Sequence, residues 1–398
     1  MPESLSSILA DLDAGLDAAK DRGLEVRRHL ARFPELSWQE EHTQAYLRER
    51  LAGLGLEARP AARTGLVCDV GEGEPMVVYR ADMDALPIAD PRRPGEAPAV
   101  SEVKGVSHAC GHDMHCAVAV TLVDLFSQVA SRLPGRIRFV FQPAEEVVPS
   151  GAEALVGEGV CDDARACFAL HVDPTRFTGQ VGLREGVFTA AGDPFRIEVQ
   201  GQGGHSSRPY LSRDAVLAAA RVVDALATIV PQRIDPLDPA VVSVGSIHGG
   251  SAPNVIAGHV NLQGTIRSFS EEARRILHEA LTEAAKGAAS TVGCSAEVQI
   301  DCGAPSLVND SRLHRLMVEV VTETLGRQAI EFVERPSTGG EDFSYFGTRA
   351  PIYMMRLGVR KPGTEPRHLH TAGFDLDEAA LPVAVRVMSR ALLRTLTL

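Results

Sequence analysis

Apolar positions along the chain alternate between helical spacing and short continuous runs, and this alternation predicts an α/β fold. Helical spacing predicts helices over about 5–32 and 39–54, which are separated by the breaker FPELSW. Short apolar runs predict buried strands in GLVCDVG, PMVVYRADMD, GRIRFVFQPAEE and ACFALHV. A long helix from about His112 to Ser131 lies between the second and third of these strands. Strands that alternate with helices usually form a sheet with parallel pairs.

A second pattern begins near Phe188 and predicts a separate module. Its order is strand PFRIEVQG, helix RDAVLAAARVVDALATIV, strands AVVSVGSIHGG and HVNLQGTIRS, helix EEARRILHEALTEAAKGAAS and strand AEVQIDCG. This βαββαβ order resembles a ferredoxin-like module, which has the size of an inserted domain. The chain then continues with helix SRLHRLMVEVVTETLG, strand PIYMMRLG and a final amphipathic helix from about Asp377 to Leu396.

The length supports a two-domain organisation. A chain of 398 residues exceeds the size at which a single hydrophobic core stops growing. We predict a discontinuous first domain over 1–187 and 301–398, and an inserted domain over 188–300. The predicted fold class is α/β, with a mixed, largely parallel sheet flanked by helices, and with an inserted α+β ferredoxin-like domain.

Composition excludes several classes of protein. The chain is 44% hydrophobic and 23% charged, and it has no apolar run of the length of a membrane span, so we expect no membrane partner. The first segment, MPESLSSILADLDAGLDAAK, lacks the basic and apolar regions of a secretory signal, which favours a cytoplasmic location. The net charge of −12 argues against nucleic-acid binding, which normally needs a basic surface, and favours a small-molecule partner.

The cysteines do not form a recognisable redox or disulfide pattern. They are odd in number and scattered, and no two are spaced as C-x-x-C. Their positions are 68, 110, 116, 161, 167, 294 and 302. A different kind of site is therefore indicated by VSHACGHDMHC, residues 106–116, which holds three histidines, two cysteines and an aspartate.

Metal-binding side chains recur near the ends of the predicted strands. Glu145 and Glu146 follow RIRFVFQPA, His171 closes ACFALH, and His370 follows PIYMMRLG. In α/β sheets ligands bind beyond the carboxyl ends of the strands. A thiolate, neutral imidazoles and a carboxylate suit zinc, while manganese, cobalt and nickel also accept such mixed ligands. Each residue taken singly is better explained by ordinary packing or a solvated loop, so the indication comes from their combination.

Seven motifs in order carry a resemblance to a known family: YRADMDALPI, HACGHDMH, FQPAEE, GGHSSRP, APNVIAG…GTIR, TGGEDFSYF and HLHT. They span residues 79–371. The chain resembles the amidohydrolases of the aminoacylase/carboxypeptidase metallopeptidase superfamily. The similar branch contains hippurate hydrolases, N-acyl-amino-acid amidohydrolases, plant auxin-conjugate hydrolases and N-acetyl-diaminopimelate deacetylases.

The resemblance implies a metal-dependent hydrolase of N-acyl amino acids with a phosphorylase/hydrolase-like catalytic domain and an inserted lid or dimerisation domain. Two divalent ions, Mn²⁺ or Zn²⁺ with Co²⁺ or Ni²⁺ as other candidates, would be held by Cys110, His112, Glu146, His171 and His370. Glu145 would be the general base, since adjacent carboxylates can divide their roles between metal binding and proton transfer.

The same resemblance assigns roles in the inserted domain. His205 would stabilise the oxyanion, and Asn254 and Arg267 would hold the substrate carboxylate. Gly340, in TGGEDFSYF, would allow close backbone approach to a ligand. The resemblance further implies a homodimer formed through the inserted domain, with an N-acyl amino acid as the small-molecule partner.

Other residues of the first two motifs are candidates for supporting the metal ligands. Asp82, Asp84 and Asp113 are candidates for orienting the histidine ligands. The broader superfamily has a histidine ligand where this chain has Arg80, which cannot bind a metal, so the similarity is to the branch with the Cys-Gly-His segment. Cys116 is interpreted as helix packing.

Three alternatives stay open on the sequence. The first is a dipeptidase or carboxypeptidase of the same superfamily. The second is a metal-binding or ligand-binding relative without catalysis, against which the presence of Glu145 beside all five ligand candidates argues. The third is nucleophilic catalysis by Cys110 with His112 or His108, which would be insensitive to chelators.

Overall fold

The computed structural model describes residues 3–398, and within them the chain divides into two compact units. Unit 1 comprises the described residues up to Gly186 together with Val308–Arg335 and Asp342–Leu398. Unit 2 comprises Val187–Leu307 and Pro336–Glu341. Within this described part, no helix is long and apolar enough to cross a membrane.

Unit 2 includes Val187 and two segments, 301–307 and 336–341, that the sequence pattern placed in the first domain. Backbone hydrogen bonds explain the difference. Asp301 N–H donates to Pro194 O at 2.9 Å, and Ser337 N–H donates to Phe188 O at 2.9 Å. Both segments are therefore bonded to the beginning of the inserted domain, a pairing that local hydrophobic patterns do not show.

Sixteen strands are assigned within residues 3–398. In chain order they are β1 Ala58–Ala61, β2 Gly65–Gly71, β3 Met76–Asp82, β4 Arg136–Gln142, β5 Ala164–Phe177, β6 Val181–Leu183, β7 Gly186–Thr189, β8 Ala191–Gln200, β9 Gly204–His205, β10 Ala240–Gly249, β11 Val255–Ile256, β12 His259–Ser268, β13 Ser295–Ile300, β14 Leu307–Asn309, β15 Ile330–Phe332 and β16 Ile352–Arg360.

Among the same described residues, the α-helices of 13 residues or more agree with the predicted pattern to within a few positions, whereas two short helices, Gly151–Gly157 and Ile229–Arg233, were not predicted as separate elements. They are α1 Glu3–Arg32, α2 Glu41–Gly53, α3 His112–Ser127, α4 Gly151–Gly157, α5 Ala215–Ala227, α6 Ile229–Arg233, α7 Glu271–Ser290, α8 Ser311–Leu325 and α9 Ala380–Thr395.

Unit 1 is built on an eight-stranded mixed sheet in the order β1-β2-β4-β3-β5-β16-β6-β15. The central strands β4, β3, β5 and β16 run parallel to their neighbours within this group. The pairs β1–β2, β2–β4 and β16–β6 are antiparallel. The predicted mixed, largely parallel sheet is thus confirmed. Three short strands, β1, β6 and β15, were not predicted because each is only three or four residues long.

Helices pack against this sheet, and the central strands and helix α3 are buried between them. Every residue of β3 is buried, as expected for a central parallel strand. Helix α3 is buried from His112 to Phe126, so it lies between the sheet and other helices. Helix α1 approaches it closely, because a Cβ on Gly23 would lie 2.0 Å from Thr121 Oγ1. The N-terminal end of α3, where the candidate ligands begin, is therefore enclosed.

Unit 2 is the predicted ferredoxin-like module. Its four-stranded sheet has the order β10-β12-β8-β13, and all its pairs are antiparallel. Helices α5 and α7 pack on one face of this sheet. Alternate residues of β8, including Phe195, Ile197 and Val199, face these helices and form the core of the unit. A short ribbon of β9 and β11 extends beyond the sheet.

Candidate metal centre

A left-handed glycine shapes the segment that carries two of the predicted ligands. Gly111 has φ of 82° and immediately precedes α3, between Cys110 and His112. A Cβ at this position would lie 2.5 Å from Val172 Cγ2 on β5. Glycine alone satisfies both the dihedral angle and the close approach. The local sequence therefore turns the backbone so that Cys110 and His112 approach the sheet together.

The structure brings all five predicted ligands to one place. Cys110 Sγ lies 3.4 Å from His171 Nε2 and 3.2 Å from His370 Nε2. Glu146 Oε1 lies 3.1 Å from His370 Nε2. His112 offers a ring nitrogen within 4.8 Å of ligand atoms of Cys110 and His171. These residues come from separate parts of the chain, as expected for a site built at the edge of a parallel sheet.

Two of the histidines are oriented by backbone carbonyls. His112 Nδ1 donates to Asp84 O at 2.9 Å, and His171 Nδ1 donates to Val172 O at 2.8 Å. Because a carbonyl oxygen can only accept, each Nδ1 atom carries a proton, which leaves Nε2 as the nitrogen that can bind a metal when it is unprotonated. His112 Nε2 is buried and has no hydrogen-bond partner within the described residues. This buried nitrogen without a partner, beside a thiol and a second imidazole, fits a cation site in which the cation replaces any proton on Nε2.

His115 shows that proximity alone does not make a ligand. It lies one helical turn after His112, and Asp82, His112 and His115 form a further cluster of potential ligand atoms. Both of its nitrogens are already occupied. Nδ1 donates to Asp82 Oδ1, and Nε2 accepts from Val172 N–H at 3.0 Å. His115 therefore supports Asp82 and the β5 backbone, a role for which the sequence offered no signal.

Glu145 lies in the same cluster. Its carboxylate, that of Glu146 and a ring nitrogen of His112 offer ligand atoms within 4.8 Å of one another. Both glutamates follow the carboxyl end of β4, in the loop that leads to α4. The two adjacent carboxylates predicted to divide metal binding and proton transfer are therefore both present at the site.

Arg80 is the centre of a buried hydrogen-bond network that includes Asp82. Its side chain is 0% exposed, and it donates to Asp82 Oδ2 at 2.6 Å, Gln142 Oε1 at 2.7 Å and Asp342 Oδ1 at 2.6 Å. The sequence excluded Arg80 as a ligand but did not indicate this role for it, nor any role for Gln142. The only signal was position, because Arg80 and Gln142 lie near the ends of neighbouring strands β3 and β4.

The two other aspartates named for orienting histidines behave differently. Asp84 contacts His112 through its backbone carbonyl, and its Oδ1 lies 3.3 Å from His112 Nδ1. Asp113 instead accepts from Arg27 Nε at 3.0 Å, and its other carboxylate oxygen has no hydrogen-bond partner among the described residues. Cys116 is buried in α3 and donates to Asp82 O at 3.2 Å, in keeping with helix packing.

Charge and burial act against each other at this site. Burial raises the pKa of the Cys110 thiol to about 12. Burial would lower the pKa of His112, but Asp82 and Cys110 raise it well above its ordinary value. Burial would likewise raise the pKa of Asp82, but Arg80 holds it well below the usual range. A cation that binds Cys110 must therefore displace a proton from a thiol stabilised in its neutral form.

The pKa values of His171 and His370 are shifted in opposite directions. Burial lowers the pKa of His171 well below its usual value, so this ring is neutral and able to ligate. The hydrogen bond with Glu146 raises the pKa of His370. His370 is also the least enclosed of the candidates, with a side chain that is 52% exposed. Its backbone is held by a bond from His370 N–H to Ala109 O at 2.9 Å.

Within unit 2, the structure places His205 beside Asn254. Strands β9 and β11 pair His205 with Val255, and Ser206 N–H donates to Asn254 O at 3.2 Å. His205 is exposed, and its Nδ1 accepts from Ser207 N–H at 3.2 Å. With Nδ1 acting as an acceptor, the neutral ring carries its proton on Nε2.

Arg267 and Gly340, the other two candidates of unit 2, lie close to each other. The guanidinium of Arg267 lies over the backbone of Gly192, where a Cβ would be 2.2 Å from Arg267 Nη1. A Cβ on Gly340 would lie 3.6 Å from the same atom. Arg267 is only partly exposed, and among residues 3–398 no carboxylate lies within 4.0 Å of its guanidinium. Gly192 therefore makes room for the guanidinium of an arginine that has no ion-pair partner in the described chain.

Comparison with known proteins identifies the family. Residues 78–394 match Peptidase family M20/M25/M40. A probable hydrolase of Synechocystis is 39% identical over 375 residues, covering 93% of this chain and 94% of that protein. The N-acetyl-L-cysteine deacetylase of Bacillus subtilis is 36% identical over 361 residues, covering 89% of this chain and 84% of that protein.

A solved structure supports the same assignment. A dinuclear metal-binding peptidase of the M20 family from Bacillus subtilis superposes with a TM-score of 0.81 at 31% identity. The match covers 96% of this chain and 99% of the other. The clustered donors agree with the metal binding described for that protein. The chain therefore belongs to the M20/M25/M40 peptidase family and is a metallohydrolase that acts on amides.

Proposed function

We propose that this hydrolase cleaves N-acyl amino acids to a carboxylic acid and a free amino acid at the cluster formed by the five ligand candidates and Glu145. The observation that carries the proposal is the convergence of Cys110 and His171 on His112, whose buried Nε2 atom is orphaned. The proposed ligands of two divalent ions are Cys110, His112, Glu146, His171 and His370. The donor set suits Mn²⁺ or Zn²⁺, with Co²⁺ and Ni²⁺ as other candidates.

Bound divalent ions would supply Lewis acidity at such a site and would lower the pKa of water toward about 7. Glu145 accepts the proton of the attacking water. It then returns this proton to the amide nitrogen, which is a poor leaving group until it is protonated. Glu146 differs in role because its Oε1 is already directed at His370.

Two residues of unit 2 are proposed to act on the substrate. His205 carries its proton on Nε2 when neutral, since Ser207 N–H donates to Nδ1, so the ring can donate to the oxyanion. Arg267, with Asn254 and Gly340, binds the substrate carboxylate. A planar guanidinium without an ion-pair partner in the described chain suits a bidentate carboxylate.

Hydrolysis of a substrate panel tests the proposal. N-acetyl, N-benzoyl and indole-acetyl amino acids and dipeptides are incubated with enzyme loaded with Mn²⁺ or Zn²⁺, before and after chelation. Cleavage of the N-acyl compounds that stops with chelator and returns with metal supports the proposal. A preference for dipeptides would favour a dipeptidase or carboxypeptidase. Activity that survives chelation would instead favour Cys110 as a nucleophile.

Replacing Glu145 tests the proton transfer. Glu145→Gln keeps the size of the side chain but cannot accept a proton, so we expect kcat to fall by at least ~100-fold while two metals stay bound. Metal content is measured by elemental analysis and kcat on the best substrate of the panel. Glu153→Gln is the matched control, because Glu153 is exposed on α4. An active Glu145→Gln enzyme would remove Glu145 from the mechanism.

Replacing Arg267 tests substrate recognition. Arg267→Ala removes the proposed carboxylate partner, and we expect KM for the N-acyl amino acid to rise by about 10-fold or more, because a charge-assisted pair contributes ~1.5–3 kcal/mol. The amide of the same substrate, which lacks the carboxylate, should show no such change. Arg196→Ala provides a control on an exposed arginine of β8. An unchanged KM for the acid would contradict the assignment.

The proposal of a homodimer through unit 2 has support in exposed apolar side chains. Tyr210 is 80% exposed and Leu211 59% exposed, in the segment that follows His205. Val255, which pairs with His205 across the β9–β11 ribbon, is also exposed. Sedimentation of the purified protein at several concentrations measures the oligomeric state directly.

A further inference from the structure

We propose that two buried carboxylates, Glu40 and Asp84, are positioning residues that hold the backbone of Ala144, Glu145 and Glu146 from both sides. The inference rests on the proposed roles of Glu145 and Glu146. It adds two residues of unit 1 to the machinery, neither of which is proposed to contact the substrate or the metals.

Glu40 holds the first side of the segment. Its side chain is buried, and Oε1 accepts from Ala144 N–H at 2.8 Å while Oε2 accepts from Thr64 Oγ1 at 2.7 Å. Glu40 immediately precedes α2, where a carboxylate would ordinarily cap the helix, but it makes no side-chain capping bond. The carboxylate is directed at the loop after β4 instead.

The backbone at Ala144 requires such support. Ala144 has φ of 49°, in the left-handed region that residues other than glycine seldom occupy. Its N–H is bound by Glu40, and its carbonyl accepts from Gly151 N–H at 3.0 Å. Such a conformation persists only when the surroundings determine it. Both polar atoms of Ala144 are fixed, so the direction in which Glu145 leaves the backbone is fixed as well.

Asp84 holds the other side. It is buried, and its Oδ2 accepts from Glu146 N–H at 3.1 Å and from Ser37 Oγ at 2.7 Å. Its backbone carbonyl accepts from His112 Nδ1 at 2.9 Å. One residue thus sets the position of Glu146 and the orientation of His112.

Together the two carboxylates fix the N–H groups on either side of Glu145. Hydrogen bonds from a backbone N–H to an ionised or buried carboxyl are stronger than those between neutral groups, and at buried positions water does not readily replace them. The loop between β4 and α4 would otherwise be irregular and mobile. The structure therefore assigns to Glu40 and Asp84 the task of holding a base and a ligand at working distance.

Leucine and amide variants separate positioning from packing. Glu40→Leu and Asp84→Leu lose the acceptor, whereas Glu40→Gln and Asp84→Asn keep an oxygen for the same N–H. We expect the leucine variants to bind Co²⁺ at least ~10-fold more weakly than wild type, and the amide variants to bind within a few-fold of it. Affinity is measured by titrating the metal-free protein with Co²⁺ and following its absorption.

Kinetics supply a second readout. At saturating Co²⁺, Glu40→Leu should lower kcat by ~10- to 100-fold with little change in KM, and Glu40→Gln should restore kcat. Glu35→Leu is the matched control. Glu35 also accepts two backbone N–H groups, from His42 and Thr43, but among the described residues it makes no hydrogen bond with the 144–146 segment. It should lower the melting temperature without changing kcat.

The following results would contradict the positioning role of Glu40 and Asp84 or the proposed function. Equal losses in Glu35→Leu and Glu40→Leu, or leucine variants that match wild type, would overturn the proposal. A wild-type enzyme without chelator-sensitive activity would overturn the proposed function, while the Co²⁺ titrations still test the positioning. If the leucine variants fail to fold, Thr64→Val against Thr64→Ser removes and then restores one donor to Glu40, and only the valine variant should weaken Co²⁺ binding.

Discussion

Gly111 has no side chain, and this allows the backbone between the candidate ligands Cys110 and His112 to turn tightly. Two features require glycine at this position. Its φ is 82°, and a Cβ there would lie only 2.5 Å from Val172 Cγ2. We expect Gly111→Ala to lose at least one bound metal, because Cys110 and His112 would have to move away from β5. Elemental analysis of the purified variant measures the loss.

Gly105 provides the control for this prediction. It has φ of 81°, but a Cβ there would have no heavy atom within 4 Å. Gly105→Ala should therefore cost only about 1 kcal/mol, from the unfavourable dihedral angle, and retain both metals. Equal metal content in Gly111→Ala and wild type would show that the close approach to Val172 is not needed.

At the scale of elements, Asp193 ties β8 to α7 inside unit 2. Its side chain is 1% exposed and accepts from Arg274 Nη2 at 2.6 Å and from Gly303 N–H at 2.9 Å, and it contacts His278 Nε2 at 2.7 Å. Burial would raise the pKa of Asp193, but the hydrogen bonds from Arg274 and His278 lower it below its usual value. The ionised carboxylate is thus the form that stabilises the fold.

This shift sets the direction of the pH dependence. A carboxyl with a folded pKa below its unfolded value contributes its full stability above about pH 4 and loses it as pH falls through the folded pKa. We expect Asp193→Asn to reduce the free energy of unfolding of unit 2 by about 3 kcal/mol at pH 7, because Arg274 loses a buried partner. The difference from wild type should shrink below about pH 4.

Urea unfolding at several pH values, followed by hydrogen exchange in β8 and α7, measures the effect. Asp224→Asn, at an exposed position of α5, should change stability by no more than about 0.5 kcal/mol at any pH. A constant difference between wild type and Asp193→Asn from neutral to strongly acidic pH would show that the carboxylate's charge is not what stabilises the junction.

On the scale of the whole molecule, each unit has its own hydrophobic core. The core of unit 1 includes Val77, Phe139 and Leu170 of its central strands, and that of unit 2 includes Ile197 and Leu262. The five ligand candidates all belong to unit 1. Metal binding should therefore stabilise one unit directly.

Hydrogen exchange with and without metal tests this linkage. At a metal concentration about 100-fold above Kd, protection of β3, β5 and α3 should rise by up to ~2.7 kcal/mol, because the ion binds the folded unit. Protection of β8, β12 and α7 should stay the same. Cys110→Ser, which weakens the site, should abolish the rise in β3, β5 and α3. An equal rise in both units would contradict a site confined to unit 1.

Much of the fold was predictable because its signals are local. The continuous apolar runs predicted β2, β3, β4 and β16, and the change of pattern near Phe188 predicted the ferredoxin-like module. Periodicity is weak in very short strands, so β1, β6 and β15 were missed. Glu146, His171 and His370 were predictable because they follow or lie on recognisable strands, and Cys110 and His112 because they lie at the beginning of a recognisable helix. Their motif neighbours resembled those of the family, which the comparisons then confirmed.

The sequence by itself determined which side chains are available for chemistry and where along the elements they lie. Only the tertiary structure decided how they work together. Arg80 pairs with Asp342 across 262 positions, and Glu40 reaches Ala144 across 104. It is likewise the contact of Val172 with His115, rather than any motif, that separates His115 from His112. Hydrophobic periodicity reports the faces of single elements, whereas these roles depend on contacts between elements that only packing brings together.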